Sequence, residues 1–290
     1  MNDDSRIAEF WSLDKDDAAL CELCPHGCII APGKTGICGV RENQAGALIA
    51  AGYGEISSIA LDPIEKKPLY LFYPGSNILS IGGFGCNLHC RFCQNYEISK
   101  QYRDIRKEAR RMAPSDVIAI AVSNVPKGNI GVAYTYNEPF IGYEFVYDCS
   151  KLAFEEGLKN VLVTNGYVSK KPLESILPLI DAMNIDLKGF SSSFYENVGG
   201  SLEAVLETIA LSAKRCHVEV TTLVIPGENE DDIIDISKWL AAIDPGIPLH
   251  LSRFFPRYLM SDREPTPRDT IYKLQAAAKK YLKNVFVGNM

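Results

Sequence analysis

From residue 77 onward, short apolar runs alternate with longer segments whose apolar residues recur at helical spacing, a pattern that predicts repeated βα units around a parallel sheet. The runs predict strands over 78–83, 130–136, 160–164, 183–187, 218–225, 249–255 and 285–287. Helices are predicted over 115–123, 143–156, 173–180, 202–214, 230–242 and 268–281. Asn229, followed by Glu230, Asp231 and Asp232, marks a helix start, since acidic groups suit its positive end. Residues 1 to about 45 show no sustained period and are broken by Gly and Pro, which predicts a loop-rich extension. The division expected is a Cys-rich extension with its connecting segment over 1–76 and an open or closed α/β barrel over 77–290.

In α/β barrels the chemistry collects at the C-terminal ends of the strands. Cys86, Glu138, Asn165, Asp186, Lys188 and Arg253 all lie at or just past such ends, so the pattern expects them to face one cavity. Polar density is highest in Thr-Tyr-Asn-Glu-Pro at 135–139 and Asp-Leu-Lys at 186–188. Asp186 and Lys188 flank Leu187 and therefore share one side of their strand.

Composition narrows the classes. With 47% hydrophobic and 23% charged residues in 290, the chain can bury a substantial core, which excludes a disordered protein. A net charge of −6 disfavours a surface for non-specific nucleic-acid binding. No apolar run is long enough to span a bilayer, and the start is acidic where a secretory leader is basic; cytoplasmic residence is expected. Of nine cysteines, seven fall into two tight groups, while Cys149 and Cys216 stand alone in apolar stretches as buried thiols.

The segment GGFGCNLHCRFCQN at 82–95 spaces Cys86, Cys90 and Cys93 as C-x3-C-x2-C. Three thiolates leave one iron of a four-iron cluster without a protein ligand. Spacing alone also admits a zinc site completed by His89 or a distant residue, in which case the chain is a non-catalytic zinc-binding adaptor. Phe92, just before the third cysteine, completes C-x3-C-x-aromatic-C, and this resembles the radical S-adenosylmethionine (SAM) superfamily in its pyruvate formate-lyase activating enzyme-like branch. DPIEKKPLYLFYPGS (62–76), GCNLHCRFCQN (85–95), AYTYNEP (133–139), VTNG (163–166), NIDLKG (184–189) and HLSRFFPRY (250–258) more narrowly resemble the AmmeMemoRadiSam system radical enzyme.

That resemblance implies an incomplete (β/α)6 barrel and a [4Fe-4S] cluster on Cys86, Cys90 and Cys93. It implies reductive cleavage of SAM to methionine and a 5′-deoxyadenosyl radical, fed by an external one-electron donor of flavodoxin or ferredoxin type. Memo-like and AMMECR-type proteins are the implied associates. Glu138 would accept from the methionine ammonium, Asp186 and Lys188 would contact the cofactor as a pair, and Phe92, Thr164 and Asn165 would line its site. Two positions depart from the family: Val163 replaces an Asp, and Phe255 replaces a His, so roles resting on those side chains do not transfer. Members of the family run on past the Gly-Asn pair that occupies 288–289 here, from which a barrel mouth open on that side is expected. Arg253 is a candidate for holding a substrate carboxylate or phosphate, or else pairs within the protein. The substrate stays open between a glycine on a partner protein and a smaller molecule or other polymer.

Cys21, Cys24, Cys28 and Cys38, spaced C-x2-C-x3-C-x9-C, form a second candidate metal site, for zinc or another iron–sulfur cluster. The competing reading packs these thiols against the barrel without metal.

Overall fold

The computed structural model describes residues 6–290; residues 1–5, part of the acidic start, lie outside it. The main sheet has eight strands in sequential order: β1 (Ser58–Pro63), β2 (Asn77–Gly82), β3 (Asn129–Tyr134), β4 (Lys159–Thr164), β5 (Ala182–Asp186), β6 (His217–Val224), β7 (Leu249–Arg253) and β8 (Val285–Gly288). Strands β2 to β8 are parallel, and β1 joins β2 antiparallel with Ser58 opposite Gly82. Crossovers carry helices α1 (Pro114–Ser123), α2 (Tyr143–Glu155), α3 (Lys170–Ile176), α4 (Leu202–Ser212), α5 (Asp232–Ile243) and α6 (Arg268–Ala278). Six βα units plus a last strand agree with the expected partial barrel. Among the described residues β8 and β1 do not pair, so the sheet stays open.

The strands are apolar on both faces, as a parallel sheet covered by helices requires; Ile78, Leu79 and Ile81 of β2 and Ala182, Met183 and Ile185 of β5 are all buried. Helix α4 begins where Ser201 Oγ accepts from Ala204 N at 3.3 Å. Two predicted helix starts move. Asn229 does not cap α5; its side chain accepts from Ile225 N and donates to Lys188 O and Leu223 O, so the helix starts later, at Asp232. Helix α3 starts at Lys170 and tightens into a 3-10 turn at Leu177–Leu179, where Pro178 cannot continue the α ladder.

Strand β1 has no counterpart in the sequence expectation. It is a half-exposed edge that ends in Pro63, so neither unbroken apolarity nor clean alternation marks it. The extension also holds more structure than expected. Trp11–Leu13, Ala19–Cys21 and Ile29–Ile30 form a small antiparallel sheet, and Arg41–Gln44 pairs with Ala47–Ala50 across a turn in which Ala45 and Gly46 both have positive φ. Its Ala19, Leu23, Ile30 and Leu48 share one core with Leu79, Ile81 and Leu88.

The β1–β2 connection fills the sheet's interior, where Ile64, Leu69 and Phe72 pack against Ile78, Ala133, Val161 and Ala182. Glu219 of β6 pins it. Its fully buried carboxylate accepts from Tyr70 N (3.0 Å), Leu71 N (2.8 Å), His217 Nε2 (2.9 Å) and His250 Nε2 (2.6 Å). Burial alone would raise the Glu219 pKa, but these donors outweigh it and hold it at about 2, below the usual 4.5. The stabilisation is therefore present above pH 4.5 and lost as pH falls toward 2. Glu219→Ala is expected to cost about 3 kcal/mol or more, because it strands buried donors. A urea midpoint equal to that of the unmutated chain would contradict this.

Candidate active site

The C-terminal ends of β2 to β7 surround an open cavity of ≈ 1350 Å³, measured out to its mouth. Cys86, Cys90, Phe92 and Cys93 line one wall, on the loop that leaves β2. Glu138 after β3, Thr164 and Asn165 at the end of β4, and Asp186 and Lys188 at the end of β5 line the rest. Nine sequence-predicted residues thus meet around one space.

The cysteine loop is held from several sides. Gly85 has φ +84°, and a Cβ there would lie 2.4 Å from the Cys38 carbonyl oxygen, so only glycine fits. Asn137 clamps the glycines: its Oδ1 accepts from Gly83 N (2.9 Å) and its Nδ2 donates to Phe84 O and Gly85 O (both 3.2 Å). Asn87 donates to Tyr167 O (2.7 Å) and accepts from Asn165 Nδ2 (2.9 Å). Asn95 donates to the carbonyl of Tyr136, whose φ of +71° is unusual for a side-chain-bearing residue. These asparagines were missed at the sequence level. Their only signal is position, each lying inside or beside a polar strand end.

Glu138 ties two loops together. Its Oε1 accepts from Thr164 Oγ1 (2.7 Å) and Phe140 N (3.0 Å), and its Oε2 from Asn165 N (2.7 Å). Burial lifts its pKa to about 7, against the opposing pull of those hydrogen bonds. Lys188 Nζ and Asp186 Oδ2 form an ion pair at 2.8 Å. Burial would depress the Lys188 ammonium, but Asp186 and the Cys90 sulfur hold it above its ordinary range.

Burial pushes the Cys86 thiol up to about 12, with the Glu138 carboxylate adding to the effect, and burial raises Cys90 as well. Buried thiols of this kind release their protons where a cation compensates the thiolate charge, as a metal centre does. The loop, its three sulfurs and the adjoining space fit a cluster with one open position.

Two expectations fail. Arg253 is not part of the cavity wall: its Nε donates to Thr266 O (2.6 Å) and its guanidinium lies 4.7 Å from the Phe255 ring centre, while Ser252 lines the cavity instead. His89 does not complete a zinc site, since its Nδ1 meets Lys100 Nζ at 3.0 Å and it is absent from the cavity wall. Cys149 is fully buried as expected, but Cys216 is only partly so.

Lys67, almost fully buried, was also missed. It pairs with Asp62 at 2.8 Å and lies 4.7 Å from the Tyr136 ring centre, while Tyr136 OH donates to Asp62 at 2.7 Å. The trio braces the cavity floor against β1.

Residues 80–240 match the family model of the Radical SAM superfamily. Over 98% of its length the chain is 43% identical to an uncharacterized protein of Methanocaldococcus jannaschii, 85% of which is covered. Over 51% of its length it is 27% identical to the pyruvate formate-lyase 1-activating enzyme of Escherichia coli, an alignment spanning 61% of that enzyme. In fold it resembles a radical SAM methyltransferase from Sphaerobacter thermophilus (TM-score 0.55, 14% identity, 74% of this chain and 67% of that one). It also resembles SuiB of Streptococcus suis bound to S-adenosylmethionine (TM-score 0.54, 14% identity, 71% of this chain and 48% of that one).

Gly85→Ala tests the loop geometry. It is expected to lower stability by about 2 kcal/mol or more, through positive-φ strain and the clash with Cys38 O. An unchanged denaturation midpoint would show that the loop tolerates displacement.

Proposed function

Because the chain belongs to the radical SAM superfamily, we propose that it is an activating-enzyme-like member in which Cys86, Cys90 and Cys93 hold the [4Fe-4S] cluster and Phe92, Glu138, Thr164, Asn165, Asp186 and Lys188 form the SAM site. Cluster and cofactor, when bound, supply reductive cleavage of SAM to methionine and a 5′-deoxyadenosyl radical that takes a hydrogen atom from the substrate. One observation carries this reading: three thiols of one loop and the polar residues of three successive strand ends line a single cavity.

The protein's part is binding, orientation and exclusion of water. Cys86, Cys90 and Cys93 would hold the cluster by three thiolates and so leave it able to bind the cofactor's amino-acid end. Glu138 keeps acceptor capacity beyond its three hydrogen bonds, enough for an ammonium. Thr164 and Asn165 act by orienting Glu138. Lys188 and Asp186 offer one charge of each sign to a zwitterion or to ribose hydroxyls. Phe92, buried 6.2 Å from the Phe194 ring, walls the cavity with apolar surface.

An external electron donor is required, and we assign this role to a flavodoxin or ferredoxin. The motifs at 62–76, 133–139 and 250–258 support placement with the AmmeMemoRadiSam group, with Memo-like and AMMECR-type proteins as associates. The likeness to an activating enzyme supports a partner protein as the substrate, and we infer a glycine as the site of hydrogen abstraction. No helix among the described residues is long and apolar enough to cross a membrane. We infer a cytoplasmic enzyme, since reduced thiols are kept there.

Anaerobic protein given dithionite and SAM is expected to release 5′-deoxyadenosine, and Cys86→Ala, Cys90→Ala or Cys93→Ala to abolish the release. Undiminished yield from any of the three would overturn the reading.

Ionisation of Glu138 gives a second test. With its pKa near 7, the carboxyl is protonated at lower pH and cannot pair with an ammonium. SAM affinity is expected to fall about tenfold per pH unit below 7, while Glu138→Gln shows a flat, weak profile. A flat profile in the unmutated protein by calorimetry would remove Glu138 from that role. Asp186→Ala and Lys188→Ala are expected to weaken SAM binding about tenfold or more with the cluster's absorption intact.

A further inference from the structure

A second set of thiols converges outside the cavity. Cys21, Cys24, Cys28 and Cys38 line one small apolar space of ≈ 300 Å³ between the extension and the back of the cysteine loop. These positions span 18 residues of sequence, so the fold brings them together.

The surroundings of these sulfurs are those of ligands. Cys21 is buried and Cys24, Cys28 and Cys38 are half-buried, with Leu23, Ile30 and Ile141 around them.

Arg41 supplies an independent observation. Its side chain is 1% exposed and lines the same space. Its terminal nitrogens are engaged by Glu144 and by the Glu9 carbonyl, yet its Nε has no partner among the described residues. A buried guanidinium N–H without an acceptor costs about 1–3 kcal/mol. Thiolates gathered around this space would place negative charge beside that guanidinium.

We propose that Cys21, Cys24, Cys28 and Cys38 together bind a thiophilic metal centre, with Arg41 balancing its charge. Such a centre braces the cysteine loop from behind. Asn87, which follows Cys86, lines the same space and accepts from His26 Nε2 at 2.7 Å through its carbonyl, and the Cys38 carbonyl packs on Gly85. Among the described residues no group of sulfurs is gathered closely enough for a single metal ion, so the centre that four thiolates around this space satisfy is a closed iron–sulfur cluster, which can also carry an electron.

The full chain bearing Cys86→Ala, Cys90→Ala and Cys93→Ala, purified anaerobically, separates this site from the first. It is expected to retain roughly four iron and four sulfide per chain, whereas about one zinc without sulfide would contradict a cluster. Further replacement of Cys24 and Cys38 by Ala is expected to remove that metal. No metal in the triple variant, or metal that survives the further replacement, would overturn the proposal. A second measurement does not depend on the variants folding. In the unmutated protein, Cys24 and Cys28 are expected to resist iodoacetamide until a chelator is added; alkylation of both without chelator, read by peptide mass spectrometry, would equally overturn it.

Discussion

Cys86, Cys90 and Cys93 fall within eight consecutive positions, 86–93, and as the proposed cluster ligands would have to present their sulfurs to different irons of one rigid group. Ordering a loop costs about 1–2 kcal/mol per residue in backbone entropy. A free loop of this length would lose much of the binding free energy to its own immobilisation. The structure meets this constraint before any metal arrives. Asn137 reaches from the end of β3 to the glycines, Asn165 reaches from the end of β4 to Asn87, and Asn95 holds the Tyr136 carbonyl. The loops after three successive strands thereby fix one another.

The same hydrogen bonds organise charge. Glu138 is buried at the junction of two of these loops, and its pKa near 7 leaves it close to the point of changing charge. Lys188 stays cationic beside Asp186. A zwitterionic ligand entering the cavity meets a carboxyl and an ammonium fixed by the fold. On the far side of the sheet's interior, Glu219 plays the opposite part: four donors hold it ionised and lock the β1–β2 connection in place. Two buried carboxyls thus differ in pKa because one gathers enough donors to offset burial and the other does not.

Much of this was legible in the sequence. The helical and apolar periods predict all seven parallel strands, because a sheet buried on both faces leaves unbroken apolar runs. The rule that function sits at strand ends selects Cys86, Glu138, Asn165, Asp186 and Lys188. It fails at Arg253, where strand alternation turns the side chain away from the cavity and Ser252 toward it. It is blind to Asn87, Asn95 and Asn137, whose partners are backbone groups on other loops. Strand β1 and the pairing of Asp62 with Lys67 escaped for a related reason: an edge strand leaves no clean period, and an ion pair between residues five apart where a strand runs into an irregular connection follows none.

The central claim is that three thiols leave one iron open at the cavity that also holds Glu138 and the Asp186–Lys188 pair, so that SAM binds the metal directly. Electron–nuclear double resonance on the reduced protein with SAM labelled by 15N at the amino group tests this most directly. A resolved nitrogen coupling to the cluster, lost when any one of the three cysteines is replaced, is the result expected. A cluster signal unaffected by labelled SAM at saturating concentration would contradict the account.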